Sequence, residues 1–293
     1  MRKEACLRMS IEEWLIQAEN LNWMAKSIFA LVLYIYGEHS LDNVKPLLGL
    51  DITSGTYAAI GSVIQGAYNV IASVGYVLLV LYFLLELTER VQMETLTPEH
   101  FIRLMCKLLI GVAIINNGYD LLIGAANFAR GIFEKVSQSY STTAPMNNAI
   151  IQEYYDRLNT SWLHVIPIAV ELLLPVLLRL VTELVIYVIA FGRMLELAAR
   201  GMFAPIGMAS IFSGGFNSSG YRYFKKFLAV ALQGAVIAAI LIAQTTIQAT
   251  LTTAGGADVW TTVTAPLAHI IISLTGMTLI IKSQGWANDI VGV

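Results

Sequence analysis

Long apolar runs separated by short polar connections recur along the chain. Five of them can cross the roughly 30 Å hydrocarbon layer of a membrane as helices. We expect spans at residues 57–87, 104–130, 165–191, 225–251 and 264–281. Leucine, isoleucine, valine and aromatic residues cover most positions of these runs, which suits helices that face lipid. The pattern predicts an all-α, polytopic transmembrane protein.

The first 36 residues follow a different, amphipathic pattern. Ser10 followed by Glu13 is a capping box at a helix start. Apolar residues then recur at helical spacing, with acidic and amide residues on the other side. Only residues 27–36 are free of charge, too few to cross a bilayer. We therefore predict an N-terminal amphipathic helix and loop over residues 1–56, lying at the membrane surface, and a transmembrane helical domain over 57–293. A sixth span is the alternative.

The central apolar run carries charged residues at helical spacing. On one continuous helix, six charges would fall on a face about 140° wide at 100° per residue; they are Glu171, Arg179, Glu183, Arg193, Glu196 and Arg200. We call these six residues the charged stripe. A charge inside a bilayer is costly unless it is paired or faces water. The stripe is therefore predicted to face inward, as the lining of a conduit or as structural ion pairs. Pro175 and Gly192 are the positions where the helix could break.

A second polar group, Asn116, Asn117 and Asp120, interrupts the second predicted span near its middle. Asn-Asn-Gly is also a signal for the end of a helix. Three interpretations follow: the helix ends here, the side chains bond to neighbouring helices, or they line a conduit.

The fourth predicted span contains small residues four apart, at Ala231, Ala235, Ala239 and Ala243. Such an alanine ladder allows helices to approach closely, either within one protomer or between protomers of an oligomer. Arg222, Lys225 and Lys226 precede it and form a basic belt. The belt is suited to lipid headgroups, to nucleic-acid phosphates or to a protein partner.

The composition agrees with a membrane protein and argues against several classes of function. Only 13% of the residues are charged and 57% are hydrophobic, with a mean hydropathy of +0.67. A soluble domain has about twice that charged share. The net charge of −2 argues against an extended nucleic-acid-binding surface. Cys6 and Cys106 lie far apart, the histidines lie in separate segments, and no nucleotide or hydrolase motif occurs. We expect no enzyme activity, no metal and no cofactor.

The distribution of lysine and arginine predicts the orientation. Arg193, Arg200 and the basic belt cluster after the central run, whereas residues 252–264 contain no basic residue. The positive-inside rule places the basic cluster in the cytoplasm and residues 252–264 outside.

Residues in and after the central run resemble one membrane family. The resemblance rests on Arg193-x-x-Glu196-x-x-x-Arg200, on Phe203-Ala204-Pro205-Ile206-Gly207, on Tyr221-x-x-x-Lys225-Lys226-Phe227 and on Leu232-Gln233-Gly234. This pattern, with the five-span layout, is similar to the TrbL-type polytopic channel subunit of conjugative type IV secretion systems. The similarity is greatest to the short form from Gram-positive mobile elements.

The resemblance implies a multi-pass protein of the bacterial plasma membrane. It also implies a homo-oligomeric ring, with a pentamer as one candidate, that helps to translocate single-stranded DNA with its relaxase. Other secretion subunits would be partners, including the ATPases that supply the energy. A secondary transporter or ion channel for a small solute is the alternative function. A membrane scaffold without a conduit is a third.

Overall fold

The computed structural model describes residues 10–36, 45–49, 58–93, 97–141, 148–160, 165–211, 218–254 and 259–293. These residues form helices and, within the described ranges, no strand. The helices are α1 (Ile11–Ala18), α2 (Trp23–Tyr36), α3 (Lys45–Leu48), α4 (Ala58–Gln92), α5 (Pro98–Ser141), α6 (Asn148–Thr160), α7 (Val165–Ala209), α8 (Ser219–Ala254) and α9 (Val259–Val291). The predicted all-α class is confirmed.

Five helices are long and apolar enough to cross a membrane. Their candidate spans are Ala59–Gln92, Pro98–Gln138, Val165–Ala209, Ser219–Ile247 and Leu267–Val291. Helix α2, Trp23–Tyr36, is also apolar but is shorter than these five helices. The fold is therefore that of a polytopic helical membrane protein with an N-terminal amphipathic helix, as predicted.

Three sites at which a span could have been broken lie inside unbroken helices. Helix α7 runs through Pro175 and Gly192, so the charged stripe lies on one helix. Helix α5 runs through Asn116, Asn117 and Gly118, so it does not end at Asn-Asn-Gly. Gly118 serves close packing instead, because a Cβ atom there would lie 2.2 Å from the Tyr68 hydroxyl.

The chain divides into two compact units. The first comprises Met1–Pro46, Val136–Ile189 and Ile237–Lys282, and the second comprises Leu47–Lys135, Ala190–Val236 and Ser283–Val293. Helices α5, α7, α8 and α9 contribute residues to both. The sequence-based division into residues 1–56 and 57–293 stays a prediction.

In the first unit, the N-terminal helices pack on helix α6. The capping box of α1 is present as predicted, with the Ser10 amide donating to Glu13 Oε2 at 2.8 Å. Trp14 is fully buried and its Nε1 donates to Asn148 Oδ1 at 2.9 Å. Trp14, Phe29 and Tyr155 form an aromatic trio with ring centroids 5.6–6.0 Å apart. The buried side of α1 therefore covers protein, and the position of this helix at the membrane surface stays a prediction.

In the second unit, helices α4 and α5 form an antiparallel pair that packs against the last part of α7 and the first part of α8. Leu79, Ile115 and Phe227 are buried in its core. Gly75 lets α4 approach α7, because a Cβ atom at this position would lie 2.9 Å from the Pro205 carbonyl oxygen.

The predicted orientation loses part of its basis. Arg193 and Arg200 lie inside α7, which continues to Ala209, and not in a loop that follows a span. Arg193 also lines the same pocket as Arg130. The predicted spans 104–130 and 165–191 would instead place residues 130 and 193 on opposite sides of the membrane. The orientation stays a prediction that now rests on the basic belt.

Trp14 provides a test of the packing between α1, α2 and α6. We expect Trp14→Ala to destabilise the first unit by about 3–5 kcal/mol, because it removes a buried ring and leaves Asn148 without its donor. Thermal unfolding and protease sensitivity of the purified protein measure the effect. Leu15→Ala is the matched control, since Leu15 is 47% exposed on the same helix. Equal stability of the two variants would contradict this packing.

Candidate functional site

Arg179 of the charged stripe is buried in the first unit, where its guanidinium makes hydrogen bonds through Nη1 and Nε. Its Nη1 donates to the carbonyl of Ile35 at 2.7 Å, and its Nε donates to Glu183 Oε1 at 3.3 Å. The guanidinium also lies over the Tyr34 ring, 4.9 Å from its centroid, and the Tyr34 hydroxyl donates to Glu183 Oε2 at 2.7 Å. Ile35 is the penultimate residue of α2, so Arg179 places its charge at the negative end of that helix dipole.

Glu171, one end of the stripe, joins α7 to helix α6. It accepts a hydrogen bond from the Tyr154 hydroxyl at 2.9 Å and pairs with Arg157 at 3.6 Å. Burial raises the pKa of Tyr154 above its ordinary value, and the neighbouring Tyr36 and Glu171 raise it further. The Tyr154 hydroxyl therefore stays protonated and keeps donating to Glu171.

Arg193 holds a comparable position in the second unit. It is 6% exposed, and its Nη1 donates to the carbonyl of Leu48 at 3.0 Å. Leu48 is the last residue of the short helix α3. Gly234 of α8 makes room for this contact, since a Cβ atom there would lie 2.0 Å from Arg193 Nη1.

The last two members of the stripe pair with each other. Arg200 donates through Nε and Nη2 to Glu196 Oε1, at 2.9 and 2.6 Å. The Tyr223 hydroxyl donates to the backbone carbonyl of Arg200. All six members of the stripe are thus buried or half-buried and bonded within their own unit. Their proposed role in lining a conduit stays a prediction.

The basic belt presents two exposed cations at the surface. Arg222 and Lys226 are exposed. Lys225 lies over the Tyr221 ring at 5.2 Å, and its Nζ donates to the carbonyl of Gly292 at 3.3 Å. The belt is accessible to headgroups or partners, and the choice between them stays open.

Helix α5 presents a polar face to the outside of the chain. Asn116, Asn117 and Asp120 are all exposed. Asn117 donates to the carbonyl of Ala113 at 2.8 Å, one turn back on its own helix. At 100° per residue, the arc of about 100° that holds them contains no apolar side chain larger than alanine between residues 113 and 131; its members are Ala113, Asn116, Asn117, Asp120, Gly124, Asn127 and Gly131.

Helix α4 presents a matching face that sequence reasoning missed. An arc of the same width, about 100° on a regular helix, holds only Ser62, Gln65, Gly66, Asn69, Ser73 and Tyr76 between residues 62 and 76. All but the half-buried Tyr76 are exposed. The signal was present in the sequence as polar or small residues at helical spacing inside an apolar run. It carried no charge, and small or polar residues at this spacing are also typical of packing between membrane helices.

A side-chain hydrogen bond joins the two faces. The Tyr76 hydroxyl donates to Asn116 Oδ1. We call the residues of the two arcs together the polar band. Asp120 is the only charged residue between Lys107 and Arg130, a stretch of about 33 Å as a helix. The α5 part of the band therefore lies within a segment of membrane-spanning length whose one charge is Asp120.

Two residues of the alanine ladder are buried in the protein and two are exposed on its surface. Ala231 and Ala235 are buried, at 4% and 6% exposure. Ala239 and Ala243 are exposed on the same helix. The buried pair is available only for packing within the protomer, whereas the exposed pair is accessible to a second protein.

No group of three or more histidine, cysteine, aspartate or glutamate residues in the described part of the chain is placed to hold a metal ion. Cys106 is a free, exposed cysteine, and Cys6 lies outside the described residues.

Five apolar spans with paired intramembrane charges define a multi-pass membrane protein. A family model described as TrbL/VirB6 plasmid conjugal transfer like protein matches residues 52–205, more than half of the 293 residues. The chain belongs to this family, and the resemblance predicted from the sequence is confirmed. No curated protein and no solved structure matches the chain.

Membership of this family makes the chain a component of a conjugal transfer system. The matched region contains the charged stripe and the polar band. The basic belt and the alanine ladder follow it.

The pairing of Arg179 predicts the result of a charge-swap experiment. Arg179→Ala leaves Glu183 without its ion-pair partner, and breaking a buried pair costs about 3–5 kcal/mol. The double variant Arg179→Glu with Glu183→Arg should restore stability only in part, because the Ile35 carbonyl still loses its donor. Thermal unfolding in detergent measures both effects, with Arg222→Ala as the exposed control. Full rescue by the swap would mean that the Ile35 contact contributes nothing.

Proposed function

We propose that the chain is a conduit-forming subunit of a conjugative type IV secretion system in the bacterial plasma membrane. Several copies form a ring through which single-stranded DNA and its relaxase pass. The ATPases of the same system supply the energy. The observation that carries this proposal is the exposed polar band of helices α4 and α5.

Lipid is a poor environment for such a band. Polar and ionisable side chains inside a membrane face water, a cavity or other protein, because exposure to hydrocarbon costs several kcal/mol. Asn69, Asn117 and Asp120 are exposed on a single chain. A ring of copies that turns this face inward gives these side chains water and leaves the apolar faces for lipid.

The chemistry of the band suits a moving polyanion. Apart from Ala113, its members are residues with amide or hydroxyl groups and glycines, with Asp120 as the one carboxylate. A basic lining would hold each phosphate and retain the strand. Neutral hydrogen-bonding groups provide contacts weak enough for the substrate to leave each site. The charged stripe then serves to hold the helices in place.

Thiol accessibility tests whether the band faces water. In a background with Cys6→Ser and Cys106→Ser, we expect Asn117→Cys to react with a hydrophilic thiol reagent in membrane vesicles. Reaction needs the thiolate, which forms in water and not in lipid. Leu109→Cys is the control, since Leu109 is 65% exposed on the same helix and is assigned to lipid. Labelling of Leu109→Cys alone would contradict the proposal.

A conjugation assay tests the role of the same residue in DNA transfer, with variants that complement a deletion of the gene. We expect the deletion to abolish transfer and Asn117→Leu to restore it poorly, while the variant assembles normally. Normal transfer without the gene would remove the secretion role. Solute uptake by the purified protein alone, with no effect on transfer, would favour the small-solute transporter instead.

The alanine ladder generates a separate prediction about assembly. Ala239→Leu places a bulky side chain on an exposed position and should shift the oligomer toward smaller species, because close helix contacts need small residues. Ala235→Leu should instead destabilise the protomer by overpacking, at a cost of about 1–3 kcal/mol. Native mass measurement separates the two effects. Ile247→Leu is the neutral control on the same helix. An unchanged mass for Ala239→Leu would place the oligomer contact elsewhere.

A further inference from the structure

The second unit contains a buried guanidinium whose charge is not balanced within the described residues. Arg193 Nη1 donates to the Leu48 carbonyl, but its buried Nε has no hydrogen-bond partner in the described part of the chain. No described carboxylate forms an ion pair with Arg193. A buried charge without a counter-charge is strongly unfavourable, so an anion is expected beside it.

A small pocket lies next to this guanidinium. Arg193 and Arg130 line it together with the turn at Leu48 and Gly49. Arg130 is already paired with Glu134 at 2.8 Å, and its side chain is 35% exposed. The charge of Arg130 is thus met within the protein, and Arg193 supplies the positive charge that remains for a ligand.

The rest of the lining is apolar. Ala126 and Phe133 of α5 and Leu197 of α7 complete the walls. Arg130 ends a stretch of α5 in which Asp120 is the only charge, and Arg193 follows the uncharged residues 184–192. Cations that end apolar segments lie where lipid headgroups are found. Basic pockets between membrane helices at this level are suited to anionic headgroups.

We propose that this pocket binds the phosphate of an anionic membrane lipid. One phosphate oxygen accepts from Arg193 Nε, and the lipid backbone contacts the apolar wall formed by Phe133 and Leu197. The Leu48 contact and the close approach of Gly234 fix the guanidinium, and Nε is the buried donor that lacks a partner in the described part of the chain. This site is separate from the basic belt and from the polar band, and it does not depend on the conduit.

Native mass spectrometry of the detergent-purified protein tests the proposal. The titrants are phosphatidylglycerol, phosphatidylcholine and inorganic phosphate. We expect phosphatidylglycerol to bind best, and Arg193→Gln to bind it roughly tenfold more weakly, because a charge-assisted hydrogen bond is lost. Lys282→Gln removes an exposed cation that is not among the residues lining the pocket and should bind like the unmodified protein.

Two further variants keep the test decisive if Arg193→Gln does not fold. Arg193→Lys retains the charge but lacks the planar fork and its Nε donor. Gly234→Ala retains both arginines but displaces the guanidinium. Both should weaken lipid binding. Equal lipid affinity in all variants would overturn the site, and Arg193-dependent binding of inorganic phosphate without preference for phosphatidylglycerol would overturn the lipid assignment.

Discussion

Two arginines of one long helix each donate to the backbone carbonyl at the end of a short helix, and the N-terminal region depends on these contacts. Arg179 reaches the penultimate residue of α2, and Arg193 reaches the last residue of α3. The last carbonyls of a helix have no partner within it and carry partial negative charge. A guanidinium donates a hydrogen bond to such a carbonyl and also places a positive charge beside the partial negative charge. This explains why an apolar helix carries arginines that would be unfavourable in lipid.

This arrangement separates two roles that the sequence could not separate. The charged stripe is bonded inside the two units, whereas the polar band, which contains almost no charge, lies on the outside. A conduit built from the band uses neutral groups for passage and keeps ionised groups as anchors. The family match covers both groups of residues.

The spans and the N-terminal amphipathic helix were predictable, because hydrophobic length and helical spacing are local properties of the sequence. The partners of Arg179 and Arg193 were not, because a backbone carbonyl such as that of Ile35 has no signature in side-chain identity. The sequence signal at Gly118 was ambiguous for a related reason. A glycine that allows close packing and a glycine that ends a helix look the same until the neighbour, here Tyr68, is known.

The pairing of Trp14 with Asn148 has a consequence for biosynthesis. The two residues are 134 positions apart, and Tyr34 is 149 positions from its partner Glu183. During translation, α1 and α2 leave the ribosome before α4 and α5, and the residues of α6 and α7 that bury them are made later still. The aromatic residues of α1 and α2 therefore lack their α6 partners until α6 has been made. The contacts of Trp14 with Asn148 and of Tyr34 with Glu183 join distant parts of the chain, so we expect them to form late and slowly during folding.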